Sequence, residues 1–206
     1  MIPNESAKEH WDRVYASKDP QEVSWTQEIP APSLELIHAL QLPHSASIID
    51  IGGGDSKLVD HLLEEGFHNI TVLDISINAL EKAQKRLGEK AGLVKWIVSD
   101  ITHFEPPTKY DLWHDRAAFH FLTESNQVEK YICTIKKSVT GYLVLSTFST
   151  SGPLKCSGLP IIQYNESNLN NLVRPDFEKL TCKQVDHTTP FGTIQNFLFC
   201  SFKRKC

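Results

Sequence analysis

Five short apolar runs recur between residues 47 and 148: SIIDI, NITVLD, VKWIVSD, YDLWHD and GYLVLSTF. Most are separated by stretches with helical spacing. In SKLVDHLLEEG, Leu58, Val59, Leu62 and Leu63 share one face and Gly66 supplies a stop. In INALEKAQKRLG, Leu80, Ala83 and Leu87 share a face, with Ser76 as N-cap and Gly88 as terminator. A third helix is predicted over QVEKYICTIKKSV. Runs this short and this apolar suit strands covered on both faces. Strand–helix alternation requires right-handed crossovers and a parallel sheet. The pattern changes at the end: after a short helix near 166–173, two long runs flank a turn at TPFG. The expectation is a single-domain α/β fold, a mostly parallel seven-stranded sheet with an antiparallel C-terminal hairpin and helices on both faces. Before it stand two helices, near 5–17 and 33–41, joined by an irregular segment with three prolines and Trp25. We read residues 1–45 as a helical lid or cap and 46–206 as the core.

The chain has 206 residues, no internal repeat and no long linker. A formal net charge of −4 provides no basic footprint for a polyanion, so no nucleic-acid partner is expected. No apolar run approaches the roughly 20 residues of a membrane span, and the first residues lack the apolar core of a signal peptide. Five scattered cysteines, odd in number and without a C-x-x-C pair, argue against a disulfide framework and a zinc site. They suit a reducing, cytoplasmic setting.

Directly after the first apolar run stands Gly52-Gly53-Gly54. A glycine cluster between a buried strand and a helix is either a tight turn or a place where a ligand approaches the backbone. In open α/β sheets, ligands bind beyond the carboxyl ends of the strands. At those ends lie Asp74, Asp100 and the pair His114-Asp115, in that chain order. Carboxylates are costly to desolvate, so such a series points to a binding site. A dinucleotide fingerprint needs a further glycine where Lys57 stands. Asp74 follows the turn at about the ~20-residue spacing of a ribose-binding acid. Asp50, inside the first run, can orient the glycine loop or a ligand cation. A ligand with a ribose, a cationic amino group and no diphosphate suits this set better than a nicotinamide dinucleotide.

The series IIDIGGGDS, ITVLDIS, WIVSDIT, YDLWHDRAAFHFL and GYLVLSTF resembles the class I S-adenosylmethionine-dependent methyltransferases. The C-terminal hairpin matches that family's sixth and seventh strands. The stretch HDRAAFHFL, a Gly-Pro loop after the fifth strand and the Trp-containing N-terminal helix are similar to the thiopurine methyltransferase-like group. The resemblance implies S-adenosyl-L-methionine as cofactor. Gly52, Gly53 and Gly54 would then admit its methionine part, with Asp50 near the ammonium. Asp74 would hold the ribose hydroxyls, Ile75 and Ile101 would pack on the adenine, and Asp100 would accept from its exocyclic amine. His114 would lie beside the methionine part and the transferring methyl. Ser56 stands at a position often small in the family, where it can N-cap the following helix. WHDR stands where the DNA-adenine and glutamine N-methyltransferases carry their proline motif.

Methyl transfer from a sulfonium needs positioning and exclusion of water, and a base only if the acceptor must lose a proton. His114, Asp115, His120 and His187 are the candidate bases, His114 and Asp115 leading. Asp115 reads equally as a cap or an ion-pair partner of Arg116, His120 as a core histidine, and DHTTPFG as a hairpin turn. Cys156, in the loop GPLKCSGLP, reads as an inert thiol, and Trp25 as part of a lid. The leading function is methyl transfer to a small-molecule S, O or N nucleophile. A protein (lysine) methyltransferase is the alternative within the class, and a non-catalytic cofactor-binding protein the alternative outside it. No metal site is expected.

Overall fold

Isoleucine, valine and leucine dominate the predicted strands because branched side chains fit a pleated surface covered on both faces. The computed structural model describes residues 5–205, so residues 1–4 of the expected cap and Cys206 lie outside the described residues. The helices are α1 (Ala7–Ser17), α2 (Ala31–Ala39), α3 (Leu58–Glu64), α4 (Ile77–Leu87), α5 (Ser125–Ser138) and α6 (Glu166–Val173). The strands are β1 (Ile48–Ile51), β2 (Ile70–Asp74), β3 (Val94–Val98), β4 (Tyr110–Arg116), β5 (Val139–Phe148), β6 (Lys155–Cys156), β7 (Leu159–Pro160), β8 (Phe177–Thr188) and β9 (Ile194–Arg204). One seven-stranded sheet runs in the order β3-β2-β1-β4-β5-β9-β8. Its first five strands are parallel, and β9 runs antiparallel to both β5 and β8. The Rossmann-like sheet with its antiparallel terminal pair is therefore present. The small β6–β7 ribbon, inside the Gly-Pro loop, was not expected.

Alternation along β1 separates two cores. Ile49 and Ile51 join Trp113, Leu143 and Leu145 under α5 and α6, where Tyr131, Ile135 and Leu169 meet them. Ile48 joins Leu112 and Val144 on the other face, under Leu34 and Ile37 of α2, Leu58 and Leu62 of α3 and Leu80 of α4. Thus α2, grouped with the cap from the sequence, packs against the sheet itself.

The chain ends of the helices follow the local signals with one shift. Ser76 caps α4 by accepting the Ala79 N–H, and Gly88 ends it. Lys57 rather than Ser56 occupies the N-cap of α3, and the Ser56 hydroxyl accepts from the Leu58 N–H at 3.2 Å. The switch point between β1 and β4 leaves a crevice at their carboxyl ends, and α1 lies across it. Asp12 of α1 accepts from the Ser76 hydroxyl at 2.7 Å, and its carbonyl accepts from Asn78 Nδ2 at 2.8 Å, so α1 is tied to the start of α4.

The cysteine reading needs correction. Cys182 and Cys200 stand directly opposite each other in β8 and β9 and form a disulfide, with Cα atoms 4.1 Å apart. Their 18-residue separation hides the pairing from a search for adjacent cysteines, because only the hairpin register creates it. The argument for a reducing compartment goes with it. Among the described residues, Cys133 and Cys156 are free. No helix among them is long and apolar enough to cross a membrane, and no cluster of potential metal ligands is present among them. Mapping of non-reduced proteolytic fragments is expected to recover the Cys182 and Cys200 peptides linked. Reduction is expected to lower unfolding stability by about 3 kcal/mol, the scale for a loop of this size, read from denaturant curves with and without reductant. Recovery of both peptides with free thiols from protein kept without reductant would exclude the bridge.

Candidate functional site

The turn after β1 is built from residues that no side chain could replace. Gly52 has φ +62°, and a Cβ there would stand 2.6 Å from the Ala118 Cβ. Gly54 has φ +47°, and a Cβ there would meet the Tyr15 hydroxyl at 2.8 Å and Asp74 Oδ2 at 3.1 Å. Both positions combine a left-handed backbone with a crowded neighbourhood, which only glycine tolerates. Gly53 sits directly over the Asp50 carboxylate, whose Oδ2 lies 2.7 Å from where its Cβ would be.

A cavity opens above this turn. Its floor and one side are Ile51, Gly52, Gly53 and Asp74, followed by Ile75 and then Ser99 to Thr102 beyond β3. Its other side is Trp11, Tyr15, Trp25, Phe121, Arg116 and Cys156. The aromatic rings contact one another: Trp11 meets Trp25 at 5.5 Å and Phe121 at 5.2 Å between ring centroids, and Tyr15 meets Trp25 at 6.1 Å. These are edge-to-face contacts of the kind aromatic pairs prefer. The α1 side is also fastened to the β6–β7 ribbon, where His10 Nε2 lies 3.3 Å from the Ser157 hydroxyl.

The predicted site residues fall into two groups. Trp25, Gly52, Gly53, Asp74, Ile75, Asp100 and Ile101 line the cavity together, and Gly54 closes the turn beside Tyr15 and Asp74. Asp74 is buried, and its Oδ1 accepts the Ser76 N–H at 2.8 Å. Burial, with the nearby charge of Asp50 added, pushes its pKa up to about 7. Asp100 uses Oδ1 for the amide and hydroxyl of Thr102, at 2.8 and 2.7 Å, and is half-exposed.

Asp50, His114 and Asp115 form the second group, and they sit beneath the cavity rather than on its wall. β1 and β4 are paired so that Asp50 and His114 are neighbours. His114 Nδ1 is 2.7 Å from Asp50 Oδ1, and Nε2 is 2.9 Å from the hydroxyl of Ser33 in α2. A carboxylate only accepts, so the ring donates from Nδ1 to Asp50, and its Nε2 is bonded to the Ser33 hydroxyl. The three residues are 4%, 1% and 0% exposed, which leaves no approach for a substrate. Asp115 is equally enclosed. Its Oδ1 accepts the Ala118 and Phe119 N–H groups at 2.9 and 3.1 Å, and its Oδ2 the Tyr131 hydroxyl at 2.7 Å. Of the two sequence readings, the cap is the one its contacts match; it has no ion pair with Arg116 among the described residues.

The two other histidines are also engaged away from the cavity. His120 accepts the Phe148 N–H on Nδ1 at 3.2 Å, and burial pushes its pKa down to about 3. His187 Nε2 donates to the Ser24 carbonyl at 2.6 Å, and Gln27 donates to its Nδ1 at 3.2 Å. The hairpin thereby holds the Trp25 segment. Tyr15 and Arg116 line the cavity without having been singled out. For Tyr15 the available signal was its four-residue spacing from Trp11; for Arg116 it was a lone arginine at a strand's carboxyl end.

Residues 48–140 match the family described as a methyltransferase domain. Over 158 residues the chain is 27% identical to the EEF1A lysine methyltransferase 2 of Mus musculus, covering 68% of this chain and 64% of that protein. Over 104 residues it is 32% identical to a malonyl-[acyl-carrier protein] O-methyltransferase of Anoxybacillus flavithermus, covering 50% of this chain and 39% of that one. The chain thus spans less than two thirds of the length of these relatives. Among solved structures it is similar to the 1,6-didemethyltoxoflavin-N1-methyltransferase of Burkholderia thailandensis, which holds S-adenosylhomocysteine. The TM-score is 0.67 at 17% identity, covering 94% of this chain and 81% of that one. The chain thus has the Rossmann-like methyltransferase fold, and its residues 48–140 match a methyltransferase-domain family.

Proposed function

We propose that the cavity binds S-adenosyl-L-methionine and that the protein transfers its methyl group to a small-molecule sulfur, oxygen or nitrogen nucleophile. One observation carries this reading: the glycine turn, Asp74 and Asp100 converge on a single cavity whose opposite side is aromatic. The residues fit the cofactor. Asp74 presents a desolvated carboxylate to the cavity, suited to the two hydroxyls of a ribose. Ile75 and Ile101 offer apolar faces to a purine, and the Asp100 carboxylate can accept from its amine. Gly52 and Gly53 bring bare backbone to the cavity wall, where the methionine part can approach it. When bound, the cofactor supplies a methyl group on a cationic sulfur, and the faces of Trp11 and Trp25 favour a cation.

In this reading α1 and the segment through Trp25 act as the lid, excluding water from the transfer. Asp50 and His114 act below the turn, fixing the backbone on which the cofactor rests, and Asp115 shapes the turn that carries Ala118. Neither His114 nor Asp115 is assigned as a base, because neither reaches the cavity. The likeness to the thiopurine group rests on sequence motifs alone. A lysine acceptor is the second reading, supported by the similarity to the mouse lysine methyltransferase over two thirds of the chain.

Calorimetric titration with S-adenosylmethionine, S-adenosylhomocysteine and NAD tests the cofactor. The first two are expected to bind and NAD is not; a methyl-release screen over metabolites and proteins then separates the acceptor classes. Binding with no acceptor in either screen would favour the non-catalytic alternative.

Asp74 makes that binding pH-dependent. Ribose hydroxyls donate to the ionised carboxylate, so they lower a pKa that stands near 7 in the free protein. S-adenosylhomocysteine affinity is therefore expected to level off above pH 7 and to fall below it, by up to about tenfold per pH unit. Asp74→Asn is expected to weaken binding at least roughly tenfold at pH 8 and to flatten the profile. A flat wild-type profile from pH 5.5 to 8.5 would remove Asp74 from the ribose site.

His114 separates support from catalysis. His114→Asn leaves the Asp50 carboxylate buried with its pairing impaired and is expected to cost about 3 kcal/mol of stability, whereas Ser33→Ala costs about 1 kcal/mol. Urea unfolding measures both. Unchanged stability in His114→Asn, with a lost limb in the pH profile of single-turnover rates, would restore it as a base.

A further inference from the structure

The cavity wall holds a cation that no carboxylate among the described residues pairs. Arg116 ends β4 and lines the cavity beside Trp25 and Cys156. Its one hydrogen bond among the described residues runs from Nη1 to the Trp25 carbonyl, at 3.2 Å. No carboxylate lies within ion-pair distance of it among them, whereas Arg86, which is also partly buried, is paired with Asp55 and Asp60. Asp50 is the carboxylate whose field reaches Arg116, but its Oδ1 is already committed to His114. Tyr15 and Cys156 also face the guanidinium, and burial pushes both of their pKa values up, so both are neutral. A guanidinium is charged at every relevant pH and has five donors in a planar fork. Half-buried and without a carboxylate, such a group favours a partner, and the matching one is a planar carboxylate.

We propose that Arg116 is a carboxylate receptor in the aromatic half of the cavity, and hence that the ligand held between Trp11, Trp25 and Phe121 carries an anionic group there. The proposal rests on the cofactor reading above for the neighbouring half of the cavity. The carboxylate has two possible sources: the methionine part of the cofactor, or the methyl acceptor itself. Where that carboxylate itself takes the methyl group, the acceptor has no proton to lose, consistent with a cavity wall from which His114, His120 and His187 are all turned away. A lysine ammonium would meet a like charge.

The test uses benzoate and its neutral isostere benzamide, each titrated calorimetrically with and without saturating S-adenosylhomocysteine. In parallel, S-adenosylhomocysteine is compared with its decarboxylated analogue. If the acceptor supplies the carboxylate, benzoate binds at least roughly tenfold more tightly than benzamide, and Arg116→Gln removes the preference while leaving S-adenosylhomocysteine affinity intact. If the cofactor supplies it, the decarboxylated analogue binds at least roughly tenfold more weakly to wild type and equally to Arg116→Gln. Arg116→Lys, which keeps the charge but not the fork, is expected to fall between the two. Absence of both preferences in wild type overturns the proposal without any variant. So does their persistence in an Arg116→Gln protein that melts as wild type does. Failure of S-adenosylhomocysteine to bind wild type would sink the methyltransferase reading, and the benzoate arm without it would still decide Arg116.

Discussion

The site depends on a buried carboxylate held in place by two strands and a helix. Asp50 lies inside β1, where a charge is expensive, and it is retained because β4 brings His114 to its side and α2 brings Ser33 to the far end of the imidazole. Each member satisfies the next, so no polar atom in the chain from Ser33 Oγ to Asp50 Oδ1 is left alone, the condition under which buried networks rigidify a fold. Because Asp50 Oδ2 occupies the place where a side chain at Gly53 would begin, that rigidity bears directly on the turn above. Helix α2 is thereby linked to the cavity floor without touching it.

The opposite wall depends on weaker, longer-range ties. Helix α1 reaches the crevice through Asp12 at the start of α4, through His10 at the β6–β7 ribbon and through the ring contacts of Trp11. The segment carrying Trp25 is held by His187 from the terminal hairpin. These attachments are a few hydrogen bonds and edge contacts, each worth about 1 kcal/mol, whereas the sheet side is closed by two apolar cores. In the lid reading proposed above, the α1 side, with the weaker ties, is the wall that opens.

Much of this was legible in the sequence because it is written in local terms. Periodicity marked the strands and helices, Ser76 and Gly88 bracketed α4, and the strand-end carboxylates Asp74 and Asp100 were visible from position alone. What stayed hidden depends on register and on side-chain direction. Cys182 and Cys200 meet only through the pairing of β8 with β9. His114 looked like a strand-end residue, yet it lies on the face of β4 that points toward α2, so it belongs to the interior. Histidines 120 and 187 read as possible bases for the same reason: sequence shows that a ring is present but not what each nitrogen touches.

Asp115 and Asp74 show how the two kinds of carboxylate can be told apart. Both end parallel strands, both are buried, and in both burial raises the pKa, to about 6 and about 7. Asp115 has donors on both oxygens, two amides and a phenol, all from its own chain. Asp74 has only backbone amide donors, Ser76 and Gly54, and it faces open space. A carboxylate whose lone pairs are filled by the fold does structural work and has nothing left to offer a ligand. One that is desolvated but only partly filled is stabilised by whatever brings the missing donors. Arg116 is the same case with the sign reversed, a half-buried donor short of acceptors. The cavity lies between a partly filled acceptor and a donor without a carboxylate partner, the polarity on which the two proposals above rest.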